Sequence, residues 1–163
     1  RSVSAIFFVI ANSFAVTTGS LVSNAIGARA RNELFPICHK VLKLGYAVGI
    51  PFVVVALLCN RWIVSFYTDN ELLIELAFAP FVVMLLNYTF ALPGYVYLNA
   101  VGGTGKTKIT FLFQVTTTCV YLVYLYWLSF CIKASLSLYL TAEYLFVILL
   151  ALQSIIHLKS KHY

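Results

Sequence analysis

An all-α, polytopic membrane bundle is the fold class this sequence predicts, on three observations. Of 163 residues, 62% are hydrophobic and 10% charged, whereas an average protein is about 25% charged. Too little polar surface remains to face water on all sides, which excludes a soluble globular domain. Mean hydropathy is +0.94, and cutting the chain at its charged clusters leaves apolar stretches at 3–26, 41–59, 76–101, 109–132 and 136–158. Each meets the ~20 residues a helix needs to cross a ~30 Å hydrocarbon core. They are too long and too continuously apolar for the roughly 10-residue alternating strands of a membrane barrel.

In the first span Ser13, Thr17, Ser20, Asn24 and Gly27 recur at steps of three and four, which places them on one helical stripe. The segment from Arg29 to Lys43 reads as an interfacial helix that leads into the second span at Pro36, with Leu34, Cys38, Val41, Leu42 and Gly45 on one face. Pro51 in the second span and Pro80 and Pro93 in the third each remove a helical hydrogen bond. Of these, Leu92-Pro93-Gly94 is the best hinge, with Pro93 and Gly94 as its centre. Tyr88, Tyr95, Asn99 and Gly102 stripe the third span, and Thr110, Gln114, Thr117, Thr118 and Tyr121 the fourth.

Lipid offers polar side chains no partner, so they turn to other helices or to a water-filled cavity. Taken together, the three stripes point to a cavity in which Thr17, Ser20 and Asn24 face Tyr88, Tyr95, Asn99, Gln114 and Tyr121. The tyrosine rings would supply π faces for an amphiphilic or aromatic cation. The other reading of the same stripes is a set of packing seams in a non-transporting membrane subunit. Glu143 is the one acid inside a span, about two turns into the last helix. It reads either as a functional intramembrane carboxylate or, the reading preferred on sequence, as a group shallow enough to reach the headgroups near Lys133.

Topology follows from Lys and Arg in the short loops. Arg29, Arg31, Lys40, Lys43, Lys106, Lys108, Lys159 and Lys161 fall on one side, against Arg1, Arg61 and Lys133 on the other. The first side, with the C-terminus, is therefore expected in the cytoplasm. The net charge of +6 reads as topology and as attraction to anionic membrane lipid. No nucleic-acid partner is expected, because the basic residues are spread over three loops without an aromatic platform.

Cys38, Cys59, Cys119 and Cys131 have neither metal-site spacing nor the density of a disulfide scaffold, and only Cys59 and Cys131 fall at the same end of their spans. His39, His157 and His162 read as interfacial, so no metal site is expected. The stretch Ala100 to Thr107, AVGGTGKT, is one residue short of the phosphate-loop pattern GxxxxGK[ST]. A phosphate loop needs a strand before it and a metal-holding aspartate later, and no aspartate follows Asp69. It reads as a tight turn, with no nucleotide and no cofactor. No nucleophile, base and acid set suggests an enzyme.

IANSFAVTTGSLVSNAIGARARNE at the first span resembles the helix-eight signature of the multidrug and toxic compound extrusion family. ALPGYVYLNAVGGTGKTK resembles the family's helix ten and its glycine-rich turn. The resemblance covers essentially the whole chain as helices eight to twelve. It implies five helices of the C-terminal lobe of a twelve-helix, two-lobe transporter, with an N-terminal lobe as partner. The chain opens on Arg1 without a basic leader or cleavage site, and is read as a piece lacking its true beginning. The resemblance implies export of small organic cations or drugs across the plasma (inner) membrane in exchange for H+ or Na+. Many members carry a cation-coordinating acid in helix ten, but Thr89 to Leu98 holds none and Ala91 and Leu92 occupy the region. The coupling ion is therefore expected outside these residues. A flippase for lipid-linked saccharides, from the same superfamily, is the nearest alternative; it would need cationic side chains for pyrophosphate, and the spans lack them.

Overall fold

The structure, a computed structural model, describes residues 2–132 and 136–160. Arg1, Lys133, Lys161 and His162, on which parts of the charge count and the interfacial readings rest, lie outside them. The described residues form helices α1 (Ser2–Gly27), α2 (Leu34–Leu58), α3 (Asn60–Ser65), α4 (Glu71–Gly103), α5 (Thr107–Trp127) and α6 (Leu136–Lys159). Five of them are long and apolar enough to cross a membrane. The all-α, five-span reading therefore holds.

The local chemistry explains where the helices start and stop. A 3-10 turn at Arg31–Glu33 delivers the chain into α2, and the segment expected as an interfacial helix leading into the span at Pro36 is continuous with the span from Leu34. Pro36 sits in the first turn, where a missing N–H costs nothing. The expected shared face is real, because Leu34, Cys38, Val41 and Gly45 are buried and Leu42 is half-buried. Asn70 caps α4, its Oδ1 accepting from the Leu72 amide at 3.1 Å. AVGGTGKT spans the end of α4, the turn and the start of α5. Gly105 takes the left-handed φ of +86° there, which glycine adopts without steric cost. A helix rather than a strand precedes this turn, as its reading as a simple connection requires. Between α5 and the following residues, Leu128–Ile132 forms one π-helical turn.

The centre of the bundle is α4, which packs against α1, α2 and α6, while α5 leans mainly on α6. Close approach is bought with small residues. A Cβ on Gly49 would lie 2.1 Å from the Tyr88 ring, one on Gly94 2.7 Å from the Val147 carbonyl oxygen, and one on Gly103 2.5 Å from the Gly19 carbonyl oxygen. Gly45 and Gly49 form a small-xxx-small pair of the kind that brings membrane helices together. The short α3 was not expected from sequence. Its Trp62 and the following Phe66 are 74% and 78% exposed and stack edge to face, a pairing suited to the membrane–water boundary.

Candidate functional site

The site is built from the middle of α4 outward. Pro93 cannot donate to the carbonyl of Thr89, four residues back. The Tyr46 hydroxyl of α2 takes the vacancy, donating to Thr89 O at 2.6 Å. One step away the exchange runs the other way, the Tyr88 hydroxyl of α4 donating to Gly45 O of α2 at 2.8 Å. These two bonds pin α4 to α2 at the level of the proline and commit the Tyr88 hydroxyl to the backbone. On the opposite side Tyr144 of α6 donates to Val83 O.

Between α1, α4, α5 and α6 the packing opens into a cavity of about 520 Å³, within the roughly 300–1,000 Å³ of small-molecule sites. Phe7 and Phe8 of α1 enter it, and Ala11 leaves room beside them. From α4 come Met84, Asn87, Tyr88 and Tyr95, with Ala91 at their centre; α5 adds Tyr121, and α6 adds Glu143, Phe146 and Val147. Edge-to-face pairs fix the rings: Phe8 on Tyr95 at 5.6 Å, Phe7 on Tyr88 at 5.9 Å and Tyr121 on Phe146 at 5.8 Å.

The charged group of the cavity is Glu143. Asn87 Nδ2 donates to Glu143 Oε2 at 3.0 Å, across from α4 to α6. Asn87 Oδ1 is buried without a partner among the described residues. The carboxylate turns inward to an amide; Lys133, near which the sequence placed Glu143, lies outside the described residues.

Of the residues singled out from sequence, Tyr88, Tyr95 and Tyr121 meet around this cavity. The others go elsewhere. Thr17, Ser20 and Asn24 are exposed on the far face of α1, away from α4. The face α1 turns inward is instead Ala11, Ala15, Thr18, Val22 and Ala25, because small side chains let the backbones approach. The hydroxyls of the outer stripe need no cavity: Thr17 donates to Ser13 O at 2.9 Å and Ser20 to Val16 O at 3.5 Å, each four residues back. Asn99 likewise donates to Tyr95 O at 2.9 Å and packs at Gly19. Gln114 is exposed, and its neighbour Thr117 is buried against Gln153 of α6 instead. Leu92 is fully buried, Pro93 half-buried and Gly94 pressed on Val147. Sequence reasoning missed Asn87, Phe8 and Phe146. The signal for Asn87 was available, as an amide one helical turn before Ala91 on the tyrosine-bearing helix.

All four cysteines are unpaired. Among the described residues no group of three or more His, Cys, Asp or Glu is placed to hold a metal ion.

No curated protein and no solved structure matches the chain. The MatE family model matches residues 1–128 of the 163, through α1, α2, α4 and α5, and so includes most of the cavity wall. With its five apolar spans and an aromatic cavity among them, this integral membrane protein belongs to the MatE family of transporters.

Proposed function

We propose that the chain is part of a secondary active antiporter that exports organic cations or drugs in exchange for H+ or Na+. The observation that carries the reading is the cavity: six aromatic rings and one carboxylate enclose about 520 Å³ within the membrane-spanning helices, a combination that attracts an amphiphilic cation. Among the described residues no Lys or Arg lines it. That weighs against the flippase alternative, because a pyrophosphate group would find no cationic partner there.

In this reading the five long helices belong to one lobe, a second lobe completes the pathway, the protein sits in the plasma membrane and the C-terminus is cytoplasmic. The coupling ion binds outside these residues, since Ala91 stands where an acid of helix ten is expected by resemblance. The test is ethidium efflux from cells that express the full-length protein, with the proton and sodium gradients collapsed separately. Efflux that stops with one gradient is the expected result and names the ion. Absence of efflux under either gradient, from protein located in the membrane, would move the assignment to the flippase.

A further inference from the structure

We propose that Glu143 anchors an organic ammonium that carries at least one N–H bond, and that Asn87 positions the carboxylate for it. The proposal rests on the transporter reading above and narrows its substrate class.

Interhelical amide hydrogen bonds can join membrane helices, but this one leaves Asn87 Oδ1 buried and unpartnered. The Tyr144 hydroxyl on Val83 O and the contact of Gly94 with Val147 already hold α6 to α4. What the pair adds is an oriented carboxylate. Asn87 Nδ2 occupies Oε2, while no described residue donates to Oε1, and Glu143 lines the cavity. An ionised carboxylate only accepts hydrogen bonds, so Oε1 calls for a donor.

The surroundings select the donor. The faces of Phe8, Tyr95, Tyr121 and Phe146, fixed by their edge-to-face partners, favour a cation. A bare metal ion is a poorer fit than an organic one. Hard ions favour a shell rich in carboxylate oxygens, but Glu143 is the one acid among the described residues lining the cavity, and no group of three or more His, Cys, Asp or Glu among them is placed to hold an ion. A cavity of about 520 Å³ matches an aromatic amine instead. Quaternary ammonium ions and protonated amines both gain from ring faces and from charge. Only a protonated amine also donates N–H to Oε1, a charge-assisted bond.

The experiment is isothermal titration calorimetry on the full-length protein in nanodiscs, with two probes: N,N-dimethyl-2-naphthylmethylamine, at a pH where it is protonated, and its N-methylated quaternary analogue. Wild type is expected to bind the protonated amine about tenfold more tightly or better. Glu143→Gln, which keeps an oxygen for Asn87 Nδ2 and so preserves the helix contact, should weaken the amine at least about tenfold and bring the two probes within about threefold of each other. Asn87→Ala should shrink the preference mainly by weakening the amine; a purely structural role would weaken both probes alike. Three results overturn the proposal: a quaternary probe that binds as tightly as the amine, an unchanged preference in Glu143→Gln, or no binding of either probe to folded protein. Gradient-driven efflux of the two naphthyl probes themselves, rather than of ethidium, whose cationic nitrogen carries no N–H, separates this outcome from that of the transporter reading. Efflux without N–H selectivity removes the anchor and keeps the antiporter, whereas N–H-selective binding without gradient-driven efflux keeps the anchor and removes the antiporter.

Discussion

The two sides of α4 contrast sharply in how they use the same residue types. Toward α2 the contact is shut: glycines at 45 and 49 bring the helices so close that no Cβ fits, and two tyrosine hydroxyls end on backbone carbonyls. Toward α1, α5 and α6, between the close contacts of Gly94 with Val147 and of Gly103 with Gly19, the packing opens locally, and tyrosine rings line open space beside a carboxylate. Tyr88 takes part in both, its hydroxyl in the seam and its ring in the cavity wall. The contrast teaches that an aromatic, polar stripe on a membrane helix does not by itself mark a cavity. The residues opposite decide: glycine closes the gap, and bulky rings on the partner keep it open.

Substitutions in the seam should be the most damaging. Gly49→Ala places a methyl 2.1 Å from the Tyr88 ring and should cost about 3 kcal/mol, the upper end for overpacking, in thermal unfolding of the detergent-solubilised protein. A near-neutral result would show that the seam is looser than its geometry. Next comes Tyr46→Phe, expected to cost about 1–2 kcal/mol because it strands the Thr89 carbonyl. Adding Pro93→Ala supplies the missing N–H and should recover most of that loss, which a double-mutant cycle measures directly. Alone, Pro93→Ala should impair efflux while leaving membrane insertion intact; unchanged efflux would take the proline out of the mechanism.

On the cavity side the balance should reverse. Phe146→Ala trims a half-buried ring, so a loss of about 1 kcal/mol in stability is expected, with a several-fold loss in calorimetric affinity for the naphthyl amine. The smallest effect belongs to Thr17→Val on the outer face of α1, within about 0.5 kcal/mol in stability and with no change in amine binding. Should efflux nevertheless fall, the outer stripe of α1 would line a second surface of the transport pathway.

Much of the fold was legible because span length and charge punctuation are one-dimensional signals. The buried face of α2 and the turn at Gly105 followed from spacing and from residue type alone. Tyr88, Tyr95 and Tyr121 line one cavity. Helix α1 carries two competing stripes, and the polar one does not line this cavity. Polarity pointed to Thr17, Ser20 and Asn24, but hydroxyls one turn apart satisfy themselves on their own helix, as Thr17 does on Ser13 O. The packing instead follows side-chain size, through Ala11, Ala15 and Ala25. The inward contact of Glu143 was not legible for a related reason: its partner Asn87 lies 56 residues away, and no local pattern reports such a contact.

The length of α4 has a mechanical consequence. With 33 residues it extends about 50 Å, well beyond a hydrocarbon core of about 30 Å. It must therefore lean within the bilayer or project from it, and its first turns, with Glu71 and Glu75, are the part suited to water. A helix with such reserve accommodates thin and thick membranes by changing its inclination. Because α1, α2 and α6 are all fastened to it, bilayer thickness becomes a variable that acts on the whole bundle through one axis.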